Sequence, residues 1–133
     1  MDVVVDTSVL IAAERGLLDL AAVAGATEST EICIAAITAS EMLHGVHRMP
    51  SIIQRTRVQL SVELLLRSVP VVPFDLDIAR VHAELSAELR AKGTLVGAHD
   101  LMIAATAVYL DAPVATRDLR SFPKIKGLEL LRW

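Results

Sequence analysis

The sequence predicts an α/β domain in which a mostly parallel central sheet is covered by helices on both faces. Three observations predict it. Short β-branched or apolar runs, such as DVVV at residues 2–5 and EICIAA at 31–36, alternate with longer stretches of helical periodicity. Apolar residues make up 53% of the chain and aromatics only 3%, so the core is built from Val, Ile, Leu and Ala. No linker, repeat or low-complexity tract divides residues 1–133, a length that buries a core without disulfides, so one domain is expected over the whole chain.

Residues 2–5 read as a strand ending at Asp6, and Thr7, Ser8 and the apolar VLIAA turn directly into a short helix. Residues 17–25 are helix-like. Glu31 to Ala36 is a second buried strand, after which Thr38 is expected to open a helix through T-A-S-E, a capping-box pattern closed by Glu41. An amphipathic stretch runs from Pro50 to Ser68, and Val69 to Pro73 is a short strand bounded by prolines. Asp75 or Asp77 caps a helix that continues to Ala91 and stops at Gly93. The loop TLVG leads to a fully buried helix from Ala98 to Leu110, then to the strand PVAT and a final strand near Leu128 to Leu131.

Composition excludes several classes. A formal net charge of −3 provides no global attraction to nucleic acid, so any polyanion would be bound locally or through cations. Cys33 is the only cysteine, which rules out an intramolecular disulfide and a Cys-rich zinc site and fits a reducing cytoplasm. The amino-terminal segment has no basic region before its apolar stretch, and Asp2 and Asp6 interrupt that stretch, so export is not expected. LMIAATAVYL, residues 101–110, falls far short of the roughly 20 residues that span a bilayer, and no membrane association is expected. Neither G-x-S-x-G nor G-x-x-x-x-G-K-[ST] occurs, which removes serine-hydrolase and P-loop readings.

In open α/β sheets ligands bind beyond the carboxyl ends of the strands, and that rule selects four acids. Asp6 ends the first strand, Glu41 follows the second, Asp100 begins the buried helix and Asp118 follows PVAT. Each has an ordinary reading as well. Asp6 could cap the next helix, Glu41 could complete the box with Thr38, Asp100 could complement a helix dipole, and Asp118 could be a turn residue. Together they are harder to explain as structure alone, because two carboxylates 4 Å apart repel by roughly 4 kcal/mol at an effective dielectric near 20. A cation removes the conflict, and oxygen ligands without thiolates select Mg²⁺ or Mn²⁺.

Four blocks, VVVDTSVLI, the helix bearing Glu41, HDLMIAATA and ATRDLRSF, resemble the signature blocks of PIN-domain nucleases in both order and spacing. The resemblance covers nearly the whole chain and is greatest to the VapC toxins of bacterial toxin–antitoxin pairs. It implies a PIN-like three-layer fold and a metal-dependent endoribonuclease that hydrolyses RNA phosphodiester bonds, with transfer or ribosomal RNA as substrate. It further implies that Asp6, Glu41, Asp100 and Asp118 are the catalytic, metal-ligating acids, with Asp118 at the position most often replaced in the family. Ser8 and Thr116 match the family's hydroxyl positions and would support the acids from behind; helix capping and strand-end turns are their ordinary alternatives. Arg117, beside Asp118, is a candidate phosphate contact, as opposed to a solvated surface residue.

The same resemblance implies a homodimer and a small VapB-like antitoxin whose tail covers the acidic pocket and a neighbouring apolar groove. Leu17 to Ala24 and Ile52 to Leu66 are the expected groove walls. Two stretches could guide an RNA backbone: His44 to Leu60 carries Arg48, Arg55 and Arg57 without an acid, and Arg117 to Lys126 adds Arg120 and Lys124. Glu41 and His44 form E-x-x-H, but the second copy that a di-iron bundle needs is missing. His99 could reach the pocket rim, although packing or capping is the simpler expectation for it, as for His47 and His82. Competing readings are a non-catalytic PIN-like scaffold that binds RNA or protein, and a haloacid-dehalogenase-like phosphatase, which needs a second Asp where Ser8 stands. A receiver domain needs a lysine where Arg117 stands, since Lys124 comes too late.

Overall fold

The computed structural model describes residues 2–27 and 31–133. Its first strand, β1 (Asp2–Val5), runs into α1 (Thr7–Glu14), α2 (Leu20–Ala26), β2 (Glu31–Ala35), α3 (Ala36–His47) and α4 (Ile52–Ser68). There follow β3 (Val71–Val72), α5 (Leu76–Ala91), α6 (Ala98–Leu110), β4 (Val114–Thr116), a 3₁₀ turn at Phe122–Lys124 and β5 (Leu130–Arg132). All pairings are parallel, and the strand order is β3-β2-β1-β4-β5. The chain therefore builds outward from β1 in one direction through β3, then returns to the other side of β1 with β4. The switch point of the sheet lies between β1 and β4, the crevice in which such folds bind ligands.

Strand side chains alternate between the two faces. Val4, Cys33, Ala35 and Val114 pack with Ile78, Leu85 and Leu89 of α5 and with Ile103, Ala104 and Ala107 of α6. Val3, Val5, Ile34 and Ala115 point the other way, against Val9 and Leu10 of α1, Met42 and Val46 of α3, and Val62 of α4. Three layers result, as expected. Ala104, Ala105 and Ala107 are fully buried, so α6 lies close to the sheet through small side chains. Among the described residues no helix is long and apolar enough to cross a membrane.

The element order matches the sequence reading, with differences at the ends. Helix α3 starts two residues earlier than expected: Ala35 is its N-cap and Thr38 lies fully buried inside it, its hydroxyl unpaired. The capping box between Thr38 and Glu41 therefore does not form, because apolar packing of the first turn takes precedence over a local cap. Asp75 is the cap of α5, accepting from the Ile78 N–H at 3.0 Å, while Asp77 pairs with Arg80 in the first turn. Helix α5 ends at Ala91, and the chain turns away at Gly93, whose φ of +64° suits glycine. The last strand begins two residues later than expected, at Leu130.

Candidate active site

Asp6 follows the last residue of β1 and occupies the N-cap position of α1, yet makes no capping hydrogen bond. Its carboxylate turns sideways across the switch point. Ser8 Oγ donates to Asp6 Oδ2 at 2.7 Å, and Thr116 Oγ1, at the end of β4, lies 2.9 Å from the same oxygen. The two hydroxyls are themselves 3.4 Å apart and accept from the backbone N–H groups of Arg117 and Asp118, at 3.0 and 2.9 Å. Thr116 donates to Asp6 and accepts locally from Asp118, while Ser8 accepts from Arg117, so the Thr116–Asp6 and Arg117–Ser8 bonds tie the end of β4 to the start of α1. Asp6 is 4% exposed and Thr116 is 0% exposed. Both hydroxyls fall on Oδ2, so Oδ1 of Asp6 has no hydrogen bond among the described residues.

Asp100 lies in the first turn of α6. Burial holds its pKa above the ordinary value of 3.8, a hydrogen bond from Ser121 partly offsets this, and the charges of Asp6, Asp118 and Glu41 each push it further up. The three other acids named from the sequence thus all act on Asp100 through space. Glu41 reaches the site from α3: Thr7 Oγ1 donates to its Oε1 at 2.8 Å, and His99 Nδ1 lies 3.5 Å from its Oε2. Asp118 is engaged differently. The Arg120 side chain grips both of its oxygens at 3.0 and 2.8 Å and the Arg120 N–H adds a third bond at 3.0 Å, lowering the Asp118 pKa to about 2.

The four acids come into one electrostatic neighbourhood, but no three His, Cys, Asp or Glu side chains among the described residues close into a ready-made metal cage. Glu41 and Asp118 are held by other partners instead. The donor set still suits a hard cation, since Asp6 offers an unbonded, nearly buried oxygen and Asp100 carries unrelieved like-charge repulsion that a divalent ion would remove.

Arg117 contributes its backbone N–H to the hydroxyl network, while its guanidinium turns away to the Trp133 carbonyl at 3.3 Å. His99 stands at the rim against Glu41, where packing or capping was the simpler expectation. His82 does pack, edge-on to Phe74 with ring centroids 5.5 Å apart. Arg55, one of the expected RNA-guiding residues, folds back onto the Met49 carbonyl. Thr7 and Ser121 escaped the sequence reading, and Arg120, expected to guide an RNA backbone, instead grips Asp118. Thr7 carried a signal, as a hydroxyl next to the strand-ending Asp6, and so did Arg120, two residues beyond Asp118. Ser121 had none, because its approach to Asp100 depends on how the 3₁₀ turn docks.

Away from the acids, an open groove of about 640 Å³ runs between α1, α2 and α4, with Leu10, Leu18, Leu20, Val62 and Leu65 among its walls. Both expected wall segments are present. Leu17, Ile52, Ile53, Leu60 and Leu64 are exposed on these segments.

Fold and site together define a class: a doubly covered parallel sheet with a nearly buried carboxylate, Asp6, at its switch point. Residues 3–128 match the family described as PIN domain, and the chain belongs to that family. It is 35% identical over 134 residues to the VapC ribonuclease Y4jK of Sinorhizobium fredii, covering 97% of this chain and 95% of that protein. It is 31% identical to a ribonuclease VapC of Rickettsia bellii, covering 98% and 96%. Among solved structures, the DNA-bound VapBC complex of Salmonella typhimurium is 27% identical with a TM-score of 0.87, covering 98% of this chain and 97% of that one. The VapBC2 complex of Rickettsia felis, bound to a promoter DNA fragment, shares the fold at a TM-score of 0.88 and 24% identity, covering 100% and 99%.

Proposed function

We propose that this protein is a VapC-type endoribonuclease, dependent on Mg²⁺ or Mn²⁺, that acts in the cytoplasm as the toxin of a toxin–antitoxin pair. The observation that carries the reading is the geometry at the β1–β4 switch point, where Ser8 Oγ and Thr116 Oγ1 hold one oxygen of the nearly buried Asp6 and leave the other free. The full-length similarity to named VapC ribonucleases supports it. One PIN-type domain accounts for residues 1–133.

Asp6, Glu41, Asp100 and Asp118 are the groups that would hold the cation. When bound, Mg²⁺ or Mn²⁺ supplies charge neutralisation and Lewis acidity toward a phosphodiester oxygen. The chain's own residues do the positioning. Ser8 and Thr116 fix the orientation of Asp6 by holding one oxygen and leaving the other free. Thr7 fixes Glu41 in the same way. The acids accept hydrogen bonds from the attacking water and keep it in line with the phosphorus, and Arg117 contacts phosphate after releasing the Trp133 carbonyl. The apolar groove between α1, α2 and α4 takes a helical segment of a VapB-like antitoxin, and the toxin itself forms a homodimer; that solved chains of this fold come from VapBC complexes supports a protein partner.

The test is incubation of purified protein with transfer and ribosomal RNA in Mg²⁺, Mn²⁺ or EDTA, beside Asp6→Asn and Asp100→Asn. Discrete fragments that disappear with EDTA and in both variants are expected. Absence of cleavage of either RNA by folded, metal-loaded protein would overturn the enzyme reading in favour of a non-catalytic scaffold.

A further inference from the structure

A second recess opens beside the acidic site. It has a volume of about 530 Å³, within the roughly 300–1,000 Å³ typical of small-ligand sites, and its walls include Thr7, Arg15, Glu41, His44, Arg48 and His99. Thr7 and Glu41 make it continuous with the acids, since the bond between them at 2.8 Å forms the shared wall. Glu41 and His44 lie on one stripe of α3, Arg48 continues the spacing as the C-cap residue of that helix, and Arg15 is the C-cap residue of α1.

The cations of this recess differ from the others near the sheet. Arg55, Arg80 and Arg120 are each held by a carbonyl or carboxylate of the chain. Arg15, His44 and Arg48 are exposed and form no ion pair among the described residues. In a chain of net charge −3, two guanidinium groups that form no ion pair among the described residues therefore line one recess, whose wall at Glu41 borders the carboxylate pocket. Acids at one end and free guanidinium groups at the other suit a phosphodiester strand whose scissile phosphate is cation-bridged and whose next phosphate is bound directly. An acidic peptide fits less well, because the Glu41 end of the recess repels it.

We propose that this recess is a phosphate subsite that binds the backbone phosphate flanking the cleaved bond of a single-stranded RNA segment, through Arg15 and Arg48. The inference rests on the nuclease reading and names where its substrate runs. The test compares wild type with the Arg15→Ala/Arg48→Ala double variant, folding being checked by circular dichroism, in cleavage of unfractionated transfer RNA and in binding of the same RNA in EDTA. The variant is expected to raise KM about tenfold with kcat nearly unchanged, and to weaken binding in EDTA by a similar factor. The slope of log affinity against log salt should become shallower by about 0.7 for each phosphate that the variant no longer neutralises, and lysine at both positions should restore part of the affinity.

If wild type cleaves RNA but the double variant keeps its KM and salt slope, the subsite is overturned and the nuclease reading stands. If wild type does not cleave, yet binds RNA in an Arg15- and Arg48-dependent, salt-sensitive way, the nuclease reading fails and the subsite as proposed falls with it, the recess remaining only as an RNA phosphate contact. Wild type that binds no RNA, or a variant that keeps RNA affinity but loses affinity for an Asp- and Glu-rich peptide, also overturns the subsite.

Discussion

Thr116 and Asp6 meet across 110 positions of sequence, with Thr116 Oγ1 2.9 Å from Asp6 Oδ2. The contact exists because β4 inserts beside β1, not next to a strand near it in the chain. Ser8 donates to the same oxygen, so a nearly buried carboxylate is solvated on one side only.

Thr116→Val removes a charge-assisted bond from an ionised group that water cannot readily reach, and is expected to cost about 1.5–3 kcal/mol of stability. Ser8→Ala should cost less, because Ser8 is less buried. A double-mutant cycle by urea denaturation should show the two effects to be non-additive by at least about 0.5 kcal/mol, since both hydroxyls serve one oxygen. Strictly additive losses would mean that the two act separately. RNA cleavage should fall by about 10–100-fold in either variant through misorientation of Asp6.

Asp100→Asn should stabilise the metal-free protein while abolishing cleavage. Its folded-state pKa lies above the ordinary 3.8, so the ionised form is disfavoured on folding. Stability from this group is therefore greatest below pH 3.8, declines as pH rises through the elevated value, and stays lower at neutral pH. Removing the charge should raise the Tm at pH 7 and flatten that part of the pH profile. Saturating Mg²⁺ should stabilise wild type, by about 2.7 kcal/mol at a hundredfold excess over Kd, but not the variant. A variant less stable than metal-free wild type would contradict the like-charge argument.

Arg120→Ala is expected to tighten divalent-cation binding. In the metal-free protein Arg120 occupies both oxygens of Asp118, and a cation must displace it. Isothermal titration with Mn²⁺ should give a lower Kd for the variant, by about two- to fivefold, as for removal of a competing exposed ion pair. The pair holds the Asp118 pKa at about 2, so its small contribution to stability is fully present above the ordinary 3.8 and disappears only as pH falls toward 2. Weaker Mn²⁺ binding would instead make Arg120 an organiser of the site.

Phe122→Ala should damage the site from outside it. Phe122 is 1% exposed and anchors the 3₁₀ turn on the α5–α6 side of the core, next to Ser121 and two residues from Arg120. Truncating it leaves a cavity worth about 3–5 kcal/mol. Cleavage should fall even below the unfolding transition, because Ser121 no longer stays against Asp100; unchanged kcat in the still-folded variant would show that the anchor serves stability alone.

The sheet and its two helical layers were legible in the chain, because strand ends and helix starts leave local marks, and the same marks picked out the four acids as candidates. β-Branched residues stop at Asp6 and at Thr116, and periodic apolar residues resume after each. What stayed illegible were choices between local and distant partners. T-A-S-E reads as a capping box, but Thr38 is consumed by packing and Glu41 takes a hydroxyl from Thr7, 34 residues away. Arg120 reads as part of a basic stretch that could guide an RNA backbone, but it curls back onto Asp118.

The sequence by itself determined the layered α/β architecture and the placing of Asp6 and Asp118 just beyond strand ends, through hydrophobic periodicity that needs no knowledge of distant partners. Tertiary structure alone decided that β4 lies beside β1, that two hydroxyls share one oxygen of Asp6, and that the charges of three acids converge on Asp100. The reason is physical. Periodicity is written every two to four residues along the chain, whereas hydrogen bonds and charge repulsion act over a few ångströms and depend on which distant segments the packed core brings within reach.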